Sequence, residues 1–241
     1  IRNLGITKEL EEVLSKNNIN CIVYDETLPN PTIDNIESAR KLYVEYSCEA
    51  LIAFGGGSPI DCAKAVGARI AYPKKTIGKL KGLLKIRRKI PLLIAIPTTA
   101  GTGSEVTLAS VVSDPSIQHK YTLMDFNLIP RIAVLDPSVT YTLPPHLTAT
   151  TGMDALTHAI EAYIGRSTTK DTRKKALEAI KLIFENIEVA YKNGFDKEAR
   201  TNMLKAAYLA GNAFSKSHVG YVHAVAHSLG GQYNIPHGLA T

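Results

Sequence analysis

The sequence predicts an α/β domain with a parallel sheet, followed by an all-α domain. Strand and helix patterns alternate through residues 1–143, whereas residues 144–241 contain no strand pattern. The segment Leu143-Pro144-Pro145 lies where the pattern changes and marks the predicted boundary. A chain of 241 residues, 45% of them hydrophobic, has the size and apolar content for two small domains or one large one.

Apolar spacing and cap residues define the elements of the first domain. Leu10, Val13 and Leu14 share one face of an amphipathic helix, Thr32 is placed to cap a second helix, and Pro59 suits the first turn of a third. The predicted helices cover residues 7–16, 33–46 and 59–70, and the predicted strands cover residues 20–24, 50–54, 91–96 and 132–135. Helices between apolar strands imply right-handed crossovers and a parallel sheet.

The second domain has only helical periodicity. Its longest segment carries an apolar stripe, Gly194 is a plausible stop after it, and Asp196 is placed to cap the next helix. The predicted helices cover residues 149–163, 170–192, about 196–214 and 219–228. The stripe consists of Ala176, Ile180, Ile183, Ile187 and Ala190.

Composition argues against several classes of function. Much of the net charge of +6 comes from residues 74–89, where no aromatic side chain is interleaved for base stacking, so we predict a solvated loop and no nucleic-acid partner. The three cysteines, Cys21, Cys48 and Cys62, do not form a disulfide framework. Without an apolar run of membrane length or a signal-peptide pattern, the sequence predicts a soluble, cytoplasmic protein.

Two glycine- and threonine-containing loops follow predicted strands. Gly55-Gly56-Gly57-Ser58 precedes a helix, where backbone N–H groups and the helix dipole favour a phosphate, although a tight turn has the same composition. Pro97-Thr98-Thr99-Ala100-Gly101-Thr102-Gly103-Ser104-Glu105 ends the next strand. Because ligands of open α/β sheets bind at the carboxyl ends of strands, the two loops together favour a dinucleotide site.

Five side chains in the second domain have the chemistry and spacing of metal ligands. Asp154 and His158 are four residues apart, as are His223 and His227, and His237 follows. On a helix such pairs share one face. One carboxylate with imidazoles and no thiolate suits Fe²⁺, Zn²⁺, Mn²⁺, Co²⁺ or Ni²⁺, while histidines packed between polar helices are the alternative.

These segments together resemble the iron-containing (group III) alcohol dehydrogenases. The similar stretches are Gly55 to Asp61, Pro97 to Glu105, Gly152-Met153-Asp154-Ala155-Leu156-Thr157-His158-Ala159-Ile160-Glu161-Ala162-Tyr163, and His223 to Gly238. The resemblance implies a dehydroquinate synthase-like fold with the active site between its domains. It also implies that the metal ion, expected to be Fe²⁺ with Zn²⁺ or another divalent metal as alternatives, is held by Asp154, His158, His223 and His237. His227 would lie near the nicotinamide and the substrate as a candidate proton relay.

The resemblance also assigns a binding site for NAD or NADP. Gly56, Gly57 and Ser58 would meet the pyrophosphate, with Asp61 in the same segment. The remaining residues would line the cofactor from the adenosine side onward: Asn30, Thr98, Thr99, Thr102, Thr107, Val111 and Lys120.

The implied activity is interconversion of a primary or secondary alcohol and its aldehyde or ketone by hydride transfer with NAD(P). The metal would act on the substrate oxygen as a Lewis acid. We expect a chain truncated at both ends relative to the family, without the first strand and without the C-terminal part of the helical domain. We also expect a homo-oligomer, a dimer or higher, with a small alcohol or aldehyde as substrate. Alternatives are a relative of glycerol dehydrogenase or dehydroquinate synthase, a metal-dependent hydrolase, and an inactive fragment.

Overall fold

The structure, a computed structural model, describes residues 2, 5–115, 119–233 and 235–241. Within these residues every strand precedes the long helices of the second half, as the predicted fold class requires. The elements of the first half are α1 Lys8–Lys16, α2 Ile33–Glu45, β1 Ala50–Gly55, α3 Gly57–Ala71, β2 Gly82–Leu83, β3 Leu92–Pro97, β4 Ala109–Asp114, β5 His119–Met124 and β6 Ile132–Ala133. The helices of the second half are α4 Pro145–Ile164, α5 Lys170–Lys192, α6 Lys197–Ser217, α7 Tyr221–Tyr233 and α8 His237–Ala240.

A parallel sheet with strand order β1-β3-β6 forms the centre of the first half. β1 pairs with β3 along its whole length, from Ala50 opposite Leu92 to Gly55 opposite Pro97. The carboxyl ends of both strands therefore meet, and each is followed at once by one of the two glycine-containing loops. The predicted parallel sheet is confirmed, and it brings the two loops together.

A second sheet, with order β2-β5-β4, was not predicted from the sequence. β4 and β5 are antiparallel, and the two-residue β2 lies parallel to β5. Val112, Tyr121 and Leu123 from this sheet are buried with Ile36 of α2 and Val66 of α3 in one apolar core. Three predicted cofactor residues lie on or next to this sheet. Thr107 is in the loop before β4, Val111 is on β4 and Lys120 is on β5.

The predicted strand over residues 20–24 is wrong, because this segment has no hydrogen-bonded strand partner among the residues that the structure describes. β1 pairs with β3 along one edge. A cavity of about 1210 Å³ lies beside it, lined by residues 18–25 of this segment and residues 49–54 at β1. A segment with strand-like composition becomes a strand only when a neighbour satisfies its backbone groups, and no such neighbour is in place here.

Helices α4, α5 and α6 form the core of the second half. Small side chains such as Ala159, Ala179 and Ala210 are fully buried at their contacts and let the helix axes approach closely. The predicted caps are confirmed for α2, where Thr32 accepts from Asn35 N, and for α6, where Asp196 accepts from Ala199 N. None of the described helices is both long enough and apolar enough to cross a membrane.

Several helix ends differ from the predictions. α4 begins at Pro145, four residues earlier than predicted, because Pro is compatible with a first helical turn. α3 begins at Gly57, so the glycine loop supplies its first turn. α6 and α7 extend beyond the predicted ends to Ser217 and Tyr233.

The two halves touch at a pair of glycines. Gly103, in the loop after β3, has φ of +60° and lies against Gly211 of α6. A Cβ atom built on Gly103 would lie 2.7 Å from the Gly211 Cα atom, so neither position has room for a side chain. The absence of both side chains allows the loop backbone to contact the helix directly.

Candidate metal centre and nucleotide loops

Helix α4 presents Asp154 and His158 on one face, one turn apart. The residues are 2% and 5% exposed, and Asp154 Oδ1 lies 3.9 Å from His158 Nδ1. The helical spacing therefore places a carboxylate and an imidazole side by side, as the sequence indicated.

Two further imidazoles reach the same carboxylate oxygen from α7 and α8. His223 Nε2 lies 3.6 Å and His237 Nε2 lies 3.3 Å from Asp154 Oδ1. One ligand atom from each of Asp154, His158, His223 and His237 lies within 4.8 Å of every other. Ligands that hold an ion tetrahedrally at about 2.1 Å are about 3.4 Å apart, so the spacing fits a divalent transition metal.

Unsatisfied hydrogen-bonding atoms in these side chains also support a site for a divalent metal ion. Asp154 Oδ1, His158 Nδ1 and His223 Nε2 are buried atoms with no hydrogen-bond partner among the described residues. An unpaired buried polar atom costs about 1–3 kcal/mol, and here three of them face one point. A cation bound at that point would satisfy all three.

Packing and charge set the protonation states of His158 and Asp154. The His158 ring is stacked between Phe214 and His223, with centroid distances of 4.2 Å on both sides. Burial lowers the pKa of His158 to about 4, despite the nearby Asp154 carboxylate. Burial opposes ionisation of Asp154 too, but the neighbouring imidazoles outweigh it and hold its pKa well below the usual value. A neutral imidazole and an ionised carboxylate are the forms that bind metal ions.

His227 lies beside this cluster without belonging to it. The residue as a whole is exposed, and the centroid of its ring lies 5.2 Å from that of His237 and 6.3 Å from that of His223. Partial desolvation of the imidazole and the neighbouring histidines lower its pKa. Although His223 and His227 are four residues apart on one helix, only His223 belongs to the cluster with Asp154, His158 and His237.

The two glycine-containing loops are in contact. Cβ atoms built on Gly56 and Gly57 would lie 3.2 Å from Thr99 Oγ1 and 2.8 Å from Thr102 Cγ2. Thr98 N donates to Gly55 O at 3.0 Å and joins the loops at their bases. The predicted phosphate-binding glycines and the predicted adenosine-side threonines thus form one continuous surface.

Asn30 and Ser58 meet at one edge of this surface. The backbone N–H of Asn30, a residue with φ of +57°, donates to Ser58 Oγ at 3.1 Å. Asn30 is 28 residues from Ser58 in sequence, so the structure joins two separately predicted parts of the cofactor site.

The Asp61 carboxylate accepts hydrogen bonds from neighbouring residues and does not face solvent. Its carboxylate accepts from Ser104 Oγ at 2.6 Å and from the Val111 backbone N–H at 2.9 Å. Burial raises its pKa against the opposing influence of Lys64. Asp61 therefore joins α3 to the threonine loop and β4.

Lys64 was not predicted from the sequence as a site residue, although it lies about one turn after Asp61 on α3. Its fully buried ammonium group donates to Ser104 Oγ at 3.0 Å, Thr107 Oγ1 at 3.0 Å, Thr107 O at 2.9 Å and Ala109 O at 2.8 Å. Burial lowers its pKa to about 8, and burial also raises the pKa of Glu105 nearby to about 7. The i,i+3 spacing with Asp61 was the available signal, but a lysine within a predicted amphipathic helix is usually exposed.

Lys120 connects the second sheet to α7. Its ammonium group donates to Gly230 O at 3.3 Å, and burial lowers its pKa. Lys120 therefore contacts the helix that also carries His223 and His227.

The fold and the site define a protein with an α/β half, whose two loops suit a nucleotide, and an all-α half with a candidate divalent-metal centre. The model of the iron-containing alcohol dehydrogenases matches residues 1–137, and the model of the C-terminal region of the Fe-containing alcohol dehydrogenase family matches residues 148–241. The chain therefore belongs to the iron-containing alcohol dehydrogenase family, and the family predicted from its motifs is confirmed.

Individual relatives agree with this membership. The chain is 44% identical over 239 residues to alcohol dehydrogenase 4 of Saccharomyces cerevisiae, covering 99% of this chain and 62% of the relative. It is 40% identical over 243 residues to the NADPH-dependent butanol dehydrogenase of Clostridium saccharobutylicum, covering 100% and 62%. The crystal structure of a 1,3-propanediol oxidoreductase superposes with a TM-score of 0.95 at 36% identity, covering 98% of this chain and 62% of that one. The chain thus spans about three fifths of the length of these relatives.

Proposed function

We propose that the protein interconverts an alcohol and its aldehyde or ketone by hydride transfer with NAD or NADP, using a divalent metal ion, most simply Fe²⁺. The observation that carries this proposal is the cluster of Asp154, His158, His223 and His237, whose buried ligand atoms lack other partners. The relatives support it, since they include an alcohol dehydrogenase and an NADPH-dependent butanol dehydrogenase. Small alcohols or aldehydes are therefore the proposed substrates.

Each part of the site has a proposed role. The four cluster residues would hold the metal ion, which when bound supplies a Lewis acid for the substrate oxygen. His227, exposed beside the cluster, is placed to carry a proton, since imidazole titrates near neutral pH. The glycine and threonine loops would bind and orient the cofactor, which carries the hydride.

The cofactor residues fall into two groups by their contacts. Gly56, Gly57, Ser58 and Asn30 lie together at the start of α3, where backbone N–H groups favour the pyrophosphate. The other proposed cofactor residues are Asp61, Thr98, Thr99, Thr102, Thr107, Val111 and Lys120. Among them, Asp61 would act by holding the threonine loop, because its carboxylate is already occupied by Ser104 and Val111.

We also propose a division into a dinucleotide-binding domain, residues 1–143, and a metal-binding domain, residues 144–241. The beginning of α4 at Pro145 and the position of all described strands before it support this boundary. A cytoplasmic location and a homo-oligomeric state remain predictions.

Metal analysis of purified protein with cofactor turnover tests the proposal. The protein is loaded anaerobically with Fe²⁺ or Zn²⁺, its metal content is measured, and oxidation of NADH and NADPH is followed with short aldehydes. We expect one metal ion per chain and cofactor-dependent turnover. His223→Ala should lower metal content sharply, while His146→Ala, an exposed histidine on α4, should leave it unchanged. Full metal content in His223→Ala would contradict the ligand assignment.

A further inference from the structure

Glu161 lies near the end of α4, two turns beyond Asp154, and is outside the four-residue metal cluster. It is 5% exposed, yet its carboxylate has no cationic lysine or arginine partner among the described ion pairs. Its three donors all come from one short stretch. Gly220 N donates to Oε2 at 2.7 Å, Val222 N donates to Oε1 at 2.7 Å, and His223 Nδ1 lies 2.6 Å from Oε2.

The contact between Glu161 and His223 determines which nitrogen of the imidazole carries the hydrogen and how the ring is oriented. An ionised carboxylate only accepts hydrogen bonds, so Nδ1 must carry the hydrogen. In the neutral ring Nε2 then keeps its lone pair, and Nε2 is the atom that lies 3.6 Å from Asp154 Oδ1. Glu161 therefore selects the tautomer and the ring orientation that a metal ion at the cluster requires.

The two backbone contacts fix the helix that carries this histidine. α7 begins at Tyr221, and the N–H groups of its first turn have no partner within the helix. Glu161 accepts two N–H groups at this end and adds a negative charge at the positive end of the helix dipole. A Cβ atom on Gly220 would lie 2.8 Å from Glu161 Oε1, so any side chain at this position would displace the carboxylate.

We infer that Glu161 is a positioning residue for the metal centre: it docks the start of α7 on α4 and orients His223 before the metal ion binds. The inference rests on the proposed metal site, because it assigns Glu161 a role through one of the four ligands. Glu161 is not one of the four residues whose ligand atoms lie within 4.8 Å of one another.

The first test is a double-mutant cycle on metal affinity. The Kd for Zn²⁺ is measured by chelator competition in the wild-type chain, Glu161→Gln, His223→Ala and the double variant. A glutamine side chain keeps one acceptor oxygen and replaces the other by an NH₂ group, so it cannot accept all three N–H groups. We expect Glu161→Gln to weaken Zn²⁺ binding about 10- to 100-fold in the wild-type background. We expect little further weakening when His223 is already alanine.

The double-mutant cycle distinguishes an effect of Glu161 that acts through His223 from a general contribution of Glu161 to the stability of the fold. If Glu161 only stabilised the helical domain, its substitution would weaken binding equally in both backgrounds, and this result would overturn the inference. Unchanged affinity in Glu161→Gln would overturn it as well. Glu178→Gln is the matched control, because Glu178 is a carboxylate on α5 that pairs with Lys205 at the surface.

A second measurement reads the tautomer directly and needs no metal ion. Nitrogen-15 NMR of the metal-free chain should show His223 protonated at Nδ1, and Glu161→Gln should give a mixture of tautomers. Should Glu161→Gln fail to fold, Gly220→Ala is the milder substitution, because its Cβ displaces the carboxylate by contact. A His223 ring that is protonated at Nε2 and not at Nδ1 in the wild-type chain would refute the inference.

The controls distinguish this inference from the proposed function. Failure of the wild-type chain to bind Zn²⁺, with no effect of His223→Ala, would remove the metal site and the inference with it. Tight binding that depends on His223 but not on Glu161 would leave the proposed function intact and would remove only the role of Glu161.

Discussion

The contact between the two nucleotide loops makes a quantitative prediction for Gly57→Ala. Gly57 is the first residue of α3 and lies outside the left-handed region, so alanine is compatible with its backbone. The new methyl group, however, would lie 2.8 Å from Thr102 Cγ2. Carbon atoms prefer about 3.5–4.0 Å, so one loop must move by at least about 0.7 Å. Overpacking of this kind costs about 1–3 kcal/mol of unfolding free energy.

Urea unfolding of four variants checks the magnitude and the cause. Gly57→Ala should lower the midpoint, and Thr102→Ser should relieve most of the loss when the two are combined, because serine lacks the clashing methyl group. Thr102→Ser alone should cost no more than about 0.8 kcal/mol, the value of one buried methyl group. Gly78→Ala is the control, since no atom lies within 4 Å of a Cβ built there. Equal effects of Gly57→Ala and Gly78→Ala, or no relief by Thr102→Ser, would refute the predicted contact.

Three further substitutions test packing and ionisation. Met203→Ala removes a side chain that is 1% exposed in the helical core, and should cost about 2–5 kcal/mol by urea unfolding; a loss below about 1 kcal/mol would contradict the packing. Gly211→Ala places a methyl group 2.8 Å from Val106 Cγ1 and should lower stability by about 1–3 kcal/mol, against the same Gly78→Ala control. Burial raises the pKa of Glu105 from 4.5 to about 7, so the folded chain binds more protons than the unfolded chain in that interval. Stability should therefore fall by about 3 kcal/mol from pH 4.5 to 7 relative to Glu105→Gln, and parallel pH profiles of the two proteins would exclude this ionisation.

The parallel sheet and the helical second half could be predicted because their signals are local. The apolar runs at β1 and β3 and the 3.6-residue stripe of α5 specify the elements without reference to distant residues. The β2-β5-β4 sheet was not predicted although β4 and β5 are adjacent in sequence, because their segments, ASVVSD and HKYTLM, mix polar with apolar residues and lack the continuous apolar run that indicated β1 and β3. The strand predicted at residues 20–24 failed for a different reason: its composition was suitable, but it has no strand partner among the described residues.

The candidate metal cluster was predictable in part from spacing alone. The i,i+4 rule places Asp154 and His158 together on α4, but it also pairs His223 with His227, and the structure places His237 rather than His227 against Asp154. Only the family resemblance separated these two histidines in the sequence, because the choice depends on how α7 meets α8 in space.

Lys64 and Glu161 illustrate what the sequence could not reveal. Both are charged residues within helices, and such residues are usually solvated. Each is buried here because its donors or acceptors come from residues 40 to 62 positions away, Ser104 for Lys64 and His223 for Glu161. A polar residue becomes a candidate for a structural role only when those partners are known, since burial without them would be unfavourable.

Helix α6 is the element that sets the cofactor loop and the metal cluster relative to each other. Gly211 contacts Gly103 of the threonine loop, and Phe214, three residues later on the same helical face, stacks on His158. One rigid turn of helix therefore separates a contact with the predicted nucleotide surface from a contact with a predicted metal ligand. The proposed hydride transfer requires the reacting atoms to be in near contact, so it would require a closely fixed distance between these two surfaces. The glycine pair would fix it by letting backbone meet backbone, so that at this contact no side chain of either glycine separates the loop from the helix.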